Sequence, residues 1–167
     1  MKYYFDTFST PAGKFSVALN EIGAVVATAF GGLTELRKRL HGEDLLPEPT
    51  RCAAVRSQVL EFFGGKRHEF DVPLSPVGTT FQKQVWAELQ RIPFGETRSY
   101  AQLAKALGRP QAARAVGRAN ATNPICLLVP CHRVIGADGS LTGFAFGEDI
   151  KRRLLELEQR ELAPAAP

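Results

Sequence analysis

"SYAQLAKALGRPQAARAVGRANA", residues 99–121, decides what the second half of the chain must be. Ser99 followed three residues later by Gln102 is a capping box, in which hydroxyl and carboxamide satisfy backbone N–H groups at a helix start. Gly108, with Pro110 behind it, closes that helix. A second helix begins at about Pro110 or Gln111 and runs to Ala121, where Asn123-Pro124 breaks it. Two short helices joined by a tight glycine-containing turn predict a helix-turn-helix.

Upstream, Phe81, Val85, Trp86, Leu89 and Ile92 share one helical face, and "IPFGE" ends that helix. Downstream, "ICLLV" reads as a strand, "GADGSLTGF" as a hairpin or loop, and "EDIKRRLLELEQREL" as a final amphipathic helix. Its expected inner face is Ile150, Leu154, Leu157 and Leu162, and "APAAP" is an expected frayed tail. Residues 1–76 are different in kind. "KYYFDTF", "KFSVALN" and "AVVATAF" are short strands separated by turns too tight for crossovers, hence an antiparallel meander. "TELRKRLHG" and "CAAVRSQVLEFFGG" are helices closed by glycine, "HEFDVPL" is a further candidate strand, and "SPVGT" is a linker. The expectation is an α+β protein with two domains, a small antiparallel sheet with helices over residues 1–76 and a mostly helical domain over 77–167.

Charge sharpens this picture. Residues 98–133 contain Arg98, Lys105, Arg109, Arg114, Arg118 and Arg133 and no Asp or Glu, so they carry +6 in a chain of net charge +4. The rest of the chain therefore sums to −2. A one-signed stretch points to an anionic partner, with nucleic acid first in line; a solvated basic face is the plain alternative. The second helix of the pair is rich in small residues: Ala112, Ala113, Ala115, Gly117, Ala119 and Ala121, with Gln111, Arg114 and Arg118 as its long polar side chains. Such a surface reads few base edges. It suits close approach to a narrow groove with one arginine reaching inward, or simply packing against neighbouring helices, and the two can hold on different faces. The three cysteines, Cys52, Cys126 and Cys131, have irregular spacing and form no C-x-x-C pair. No disulfide framework and no metal site are expected. No run approaches the roughly 18 apolar residues of a membrane span, and the N-terminus lacks a signal-peptide core, so a cytoplasmic protein is expected.

In "LLVPCHRVIG", residues 127–136, a thiol, an imidazole and a guanidinium follow a proline. A free thiol has pKa about 8.5, and a neighbouring imidazole or positive field generates the reactive thiolate. Strand neighbours point to opposite faces, so contact between Cys131 and His132 calls for a turn there or a bridging water. Glu158 lies near the middle of the apolar arc of the last helix and needs a partner. With His132 it would complete a carboxylate–imidazole–thiol arrangement; pairing with Arg152 or Lys151, or reaching solvent, are the alternatives.

These residues resemble a family. "PCHRV" preceded by "NPICLLV", the whole of "TTFQKQVWAELQRIPFGETRSYAQLAKALGRPQAARAVGRANATNP", "LTGF" and "RRLLELE" are similar to the O6-alkylguanine-DNA alkyltransferases over roughly residues 79–158. The resemblance implies a ribonuclease H-like N-terminal unit and a winged-helix-like C-terminal domain. It implies a protein that flips an alkylated guanine out of duplex DNA and transfers the alkyl group, once and without cofactor, to its own cysteine, here Cys131. In that scheme His132 acts through a water, Glu158 orients it, and Asn123 holds the active-site turn. Arg114 fills the space left by the base. Tyr100 contacts the phosphate beside the lesion, helps rotate it, and is the candidate proton donor toward guanine N3. The helix bearing Ala113, Arg114, Ala115, Gly117 and Arg118 docks in the minor groove, and Val134, Phe144, Ala145 and Phe146 line the pocket. The partner is double-stranded DNA and the protein a monomer; cooperative assembly on DNA, action on O4-alkylthymine and alkyl size are left open.

Departures from the family pattern are local. Phe144 stands where tyrosine is usual, and Phe146 where "GYAGG" has glycine; Cys126 takes a position often held by proline. Cys52 and His68 do not make the zinc set of some relatives. Two rival readings are a lesion binder that transfers nothing, as in relatives with tryptophan at the cysteine position, and a cysteine hydrolase. The presence of Cys131 argues against the first, and the basic helix-turn-helix against the second.

Overall fold

A computed structural model describes residues 1–163; the end of the expected frayed tail lies outside the described residues. The chain forms two compact units. One comprises Met1–Val77 with Pro124–Leu128, the other Gly78–Asn123 with the chain from Val129 onward. A break between residues 76 and 77 would miss the return of the five-residue stretch to the first unit.

In the first unit, β1 (Lys2–Thr10), β2 (Gly13–Leu19) and β3 (Val25–Phe30) form the expected antiparallel meander. Phe15 and Phe30 meet edge to face at 5.0 Å, a geometry that aromatic rings favour. The helices are α1 (Leu33–Arg37) and α2 (Ala53–Phe63), the latter burying Val55, Val59 and Phe62. Sequence reasoning missed β4 (Asp44–Pro47), which pairs in parallel with β1 and makes the sheet mixed, in the order β3-β2-β1-β4. Four residues, "DLLP", carry no alternation, and Asp and Pro are poor strand formers; proline is tolerated there because the strand is at an edge.

Two expected strands are not strands. "HEFDVPL" and "ICLLV" each contribute one isolated parallel bridge to β3, Leu74 to Val25 and Ile125 to Thr28. The free edge of β3 is nonetheless satisfied: Val25 N donates to Pro73 O at 2.8 Å and Thr28 N to Pro124 O at 2.9 Å. A proline has no N–H to return, so neither ladder propagates. Leu127 then adopts a left-handed φ of 74°, which turns the chain away.

The second unit is built on helices. α3 (Thr80–Leu89) buries Val85, Trp86 and Leu89, and the Trp86 indole N–H donates to Ala119 O at 2.8 Å. Phe81, expected on the same face, is only half-buried. β5 (Arg98–Ser99) leads into α4 (Tyr100–Ala106), whose Ser99–Gln102 capping box is formed on both sides. α5 (Ala113–Ala121) completes the helix-turn-helix. It begins two to three residues later than expected, because Ala112 N closes a turn onto Arg109 O before the helix starts. Cys131–Arg133 is a single 3-10 turn, followed by β6 (Val134–Ile135), which pairs in parallel with β5. α6 (Glu148–Leu162) has the expected bounds but not the expected face. Its buried residues are Lys151, Leu154, Leu157 and Glu158, whereas Ile150 is half-buried and Leu162 is 50% exposed. Two ionisable groups seven residues apart share one inward stripe, and each therefore needs compensation.

Candidate active site

The site begins with backbone geometry. Pro130 stands before the 3-10 turn, and the turn places Cys131, His132 and Arg133 in the interior together, at 5%, 0% and 7% exposure. Two asparagines fasten this segment. Asn123 Nδ2 donates to Val129 O at 2.9 Å and Asn120 Nδ2 to Cys131 O at 3.4 Å. Asn120 was not singled out in the sequence; its place on α5 one turn before Asn123 was the available signal.

Glu158 is the hub. It is 1% exposed, and its carboxylate accepts from His132 Nε2 at 2.6 Å. It also accepts from Arg133 Nε at 3.0 and 3.1 Å, from Arg133 Nη2 at 3.1 Å, and from Gly95 N at 2.9 Å. The partner of Glu158 is thus the expected His132, joined by Arg133, which sequence reasoning left without a role; neither Lys151 nor Arg152 pairs with it. Arg133 Nη1 donates to Ile92 O at 2.8 Å, and its guanidinium lies 5.6 Å from the Phe94 ring centre. Burial opposes ionisation of Glu158, but the hydrogen bonds and charges of His132 and Arg133 outweigh it and hold the carboxyl down at about 2. His132 moves the other way. Complete burial pushes its pKa below 6.5, and Arg133 and Lys151 add to this, against the pull of Glu158. The imidazole is therefore neutral, with its proton on Nε2 and a lone pair on Nδ1, an atom with no hydrogen-bond partner among the described residues.

Gly95 explains why "FGE" sits before α4. Its φ is +84°, and a Cβ there would come within 1.9 Å of Leu162 Cδ1. Both its N–H and its carbonyl are used, the latter accepting from Gln159 Nε2 at 2.6 Å. Gly95→Ala should therefore displace the end of α6 and lower the melting temperature by several degrees, measured by calorimetry; an unchanged melting temperature would contradict this packing.

The remaining expected site residues divide by exposure. Arg114 and Arg118 are exposed on α5, with Ala113, Ala115 and Gly117 half-buried between them, while Val116, Ala119 and Asn120 face inward. Gly117 lies against the Tyr100 ring, where a Cβ would make an ordinary contact at 3.6 Å. The Tyr100 hydroxyl donates to Thr142 O at 3.2 Å, so it is tied to the loop before α6. Burial, then electrostatic interaction with Cys131, raises its pKa. Val134 and Phe144 are buried, Phe146 is half-buried and Ala145 exposed. The two phenylalanine rings meet at 65° with centres 5.8 Å apart. Lys151, which sequence reasoning used only as an alternative partner for Glu158, is fully buried in this unit.

Fold and site together define a helix-turn-helix protein with a cysteine–histidine–glutamate cluster in the same unit. A family model for the DNA binding domain of 6-O-methylguanine DNA methyltransferase matches residues 80–160. The chain is 46% identical over 156 residues to the methylated-DNA–protein-cysteine methyltransferase of Methanosarcina acetivorans, covering 93% of this chain and 97% of that one. It is 53% identical over 119 residues to the Mycobacterium tuberculosis protein of the same name, covering 71% and 72%. The crystal structure of Mycobacterium tuberculosis O6-methylguanine methyltransferase matches with a TM-score of 0.85 at 43% identity, over 99% of this chain and 96% of that one. That of Mycobacterium tuberculosis OGT in complex with DNA matches with a TM-score of 0.84 at 42% identity, over the same shares. The chain belongs to the methylated-DNA–protein-cysteine methyltransferase family.

Proposed function

We propose that the protein repairs DNA by moving an alkyl group from O6 of a modified guanine to its own Cys131, once per molecule. The observation that carries this reading is the buried His132–Glu158 hydrogen bond immediately after Cys131 on the same 3-10 turn. A neutral imidazole with a free lone pair is a base. It takes the Cys131 proton, directly or through a water, and the thiolate attacks the alkyl carbon in line. A sulfur–carbon bond forms, the carbon–oxygen bond breaks, and its electron pair stays on the guanine oxygen. The proton given up by the thiol is returned to the guanine, with Tyr100 as the candidate donor toward N3. The thioether does not revert, so the chain is consumed.

Access to the carbon requires the base to leave the stack, which costs a few kcal/mol and less where the lesion weakens pairing. In this reading α5 lies in the minor groove, Ala113, Ala115 and Gly117 allow its close approach, Arg118 meets phosphate, and Arg114 enters the duplex. Asn123 and Asn120 hold the turn that presents Cys131. The protein acts as a monomer in the cytoplasm, with the domain break near residue 77 separating a supporting N-terminal domain from the acceptor domain. The test is a titration against duplex DNA carrying O6-methylguanine in excess. One methyl group per chain should disappear and the reaction should stop, and Cys131→Ala should remove none. Continued turnover, or repair by the alanine variant, would overturn the proposal.

The pocket wall supports a size preference. Phe146 adds a ring against Phe144 where the family pattern has glycine. Guanine carrying a benzyl group should react at least tenfold more slowly than guanine carrying methyl, in second-order rate measurements on the same duplex, and Phe146→Gly should narrow that gap. Equal rates for the two substrates would refute it.

A further inference from the structure

Beside the acceptor cysteine, two buried polar atoms have no hydrogen-bond partner among the described residues: His132 Nδ1 and Asn120 Oδ1. Glu43 Oε2 and Arg67 Nε share that condition, but their residues are half-buried, with solvent at hand. His132 and Asn120 are 0% and 2% exposed. The His132 lone pair has work in the reaction proposed above, since it takes the thiol proton. The Asn120 oxygen has none there. A buried acceptor without a donor is costly, so this oxygen calls for one. The other end of the carboxamide settles its orientation. Asn120 Nδ2 donates to Cys131 O at 3.4 Å, and the reverse placement would set oxygen against oxygen. The free oxygen therefore belongs to a group that already touches the acceptor residue. Arg114 stands on the exposed face of α5 and Asn120 on its inward face, roughly 9 Å further along the helix axis. A base moving from the duplex to Cys131 moves from the one toward the other.

We infer that Asn120 Oδ1 is a recognition point for the extruded base, accepting a hydrogen bond from the 2-amino group of O6-alkylguanine. The inference rests on the function proposed above and names the base that the site prefers. Elimination identifies the amino group. Alkylation at O6 leaves N1 without hydrogen, so the exocyclic amine is the only N–H donor that the modified base brings. O4-alkylthymine carries no N–H at all and would leave the Asn120 oxygen unpaired. A site that bonds a substrate N–H rejects an analogue lacking it, because the unmet acceptor stays buried. Guanine lesions should therefore react faster than thymine lesions. Asn120 serves at both ends: Nδ2 steadies the Cys131 carbonyl, and Oδ1 reads the base.

O6-methylhypoxanthine differs from O6-methylguanine only in lacking the amino group. Each is placed at the same position of the same duplex, opposite cytosine, and single-turnover transfer is followed by the mass of the Cys131 peptide. The unaltered chain should methylate Cys131 at least about tenfold faster from the guanine. Equal rates would overturn the inference before any variant is made. Asn120→Leu keeps the size of the side chain and removes the acceptor. It should slow both substrates, because the hold on Cys131 O is lost too, but the preference for guanine should shrink by about fivefold or more. Differences in duplex stability act on both chains alike and cancel in that ratio. Asn120→Ala should shrink it similarly. A preference that survives in both variants makes the Asn120 oxygen a water-bound structural group and overturns the inference. That outcome, with Cys131 still methylated, leaves the proposed repair function standing. No transfer from either base removes that function and the inference with it.

Discussion

Glu158→Ala is expected to cost about 3–5 kcal/mol of folding stability, the range for removing one partner of a buried charge pair. The reason is what it leaves behind. Arg133, 7% exposed, loses its only carboxylate partner among the described residues, the His132 imidazole loses the bond that fixes its tautomer, and Gly95 N loses its acceptor. Equilibrium urea unfolding monitored at Trp86, which is 2% exposed, measures it. A loss below 1 kcal/mol would mean that the cluster is not the keystone of the second unit. Activity should fall as well, because a freely rotating imidazole no longer presents a defined lone pair.

The same cluster sets how the fold responds to acid. The Glu158 carboxyl titrates at about 2 in the folded chain against an ordinary value of 4.5. The unfolded chain thus binds its proton first as pH falls. Stability from this group is complete above about 4.5 and is lost as pH drops toward 2. His132, lowered from 6.5 by burial, adds a loss of the same sign that begins earlier, as pH falls below 6.5. The stability gap between wild type and Glu158→Ala should therefore shrink between pH 4.5 and 2.

Arg114→Ala should lower the rate of methyl transfer from duplex DNA by roughly 100-fold, which is the kinetic equivalent of a few kcal/mol of base extrusion. Arg114 is exposed, and no hydrogen bond or ion pair among the described residues holds it, so the fold should be untouched. Single-turnover rates on duplex and on free O6-methylguanine separate the readings. Loss on duplex alone places Arg114 in extrusion; equal loss on both would place it in the chemistry.

How much of this was legible in the chain depends on whether the signal is local. The Ser99–Gln102 box, the bounds of α6 and the turn at Cys131 all follow from residues within a few positions of one another. β4 did not, because "DLLP" becomes a strand only through its pairing with β1. "ICLLV" has strand composition, yet it makes one bridge to β3 and turns at Leu127. At the site, the His132–Glu158 partnership could be anticipated, because a carboxylate in an apolar arc demands a partner. Arg133 and Lys151 could not be placed the same way. A basic residue beside a histidine, or on a mostly charged helix, has an exposed alternative at no cost. Only the folded positions show that both are buried, one against Glu158 and the other with its ammonium toward Thr142 O.

The central claim is covalent, and one experiment addresses it. The protein is incubated with duplex DNA bearing a single O6-methylguanine, digested, and its peptides are weighed. The account predicts one added methylene, confined to the peptide containing Cys131, in amounts equal to the guanine restored. Restored guanine with no added mass, or the methyl group on Cys52, Cys126 or any other residue, would contradict it.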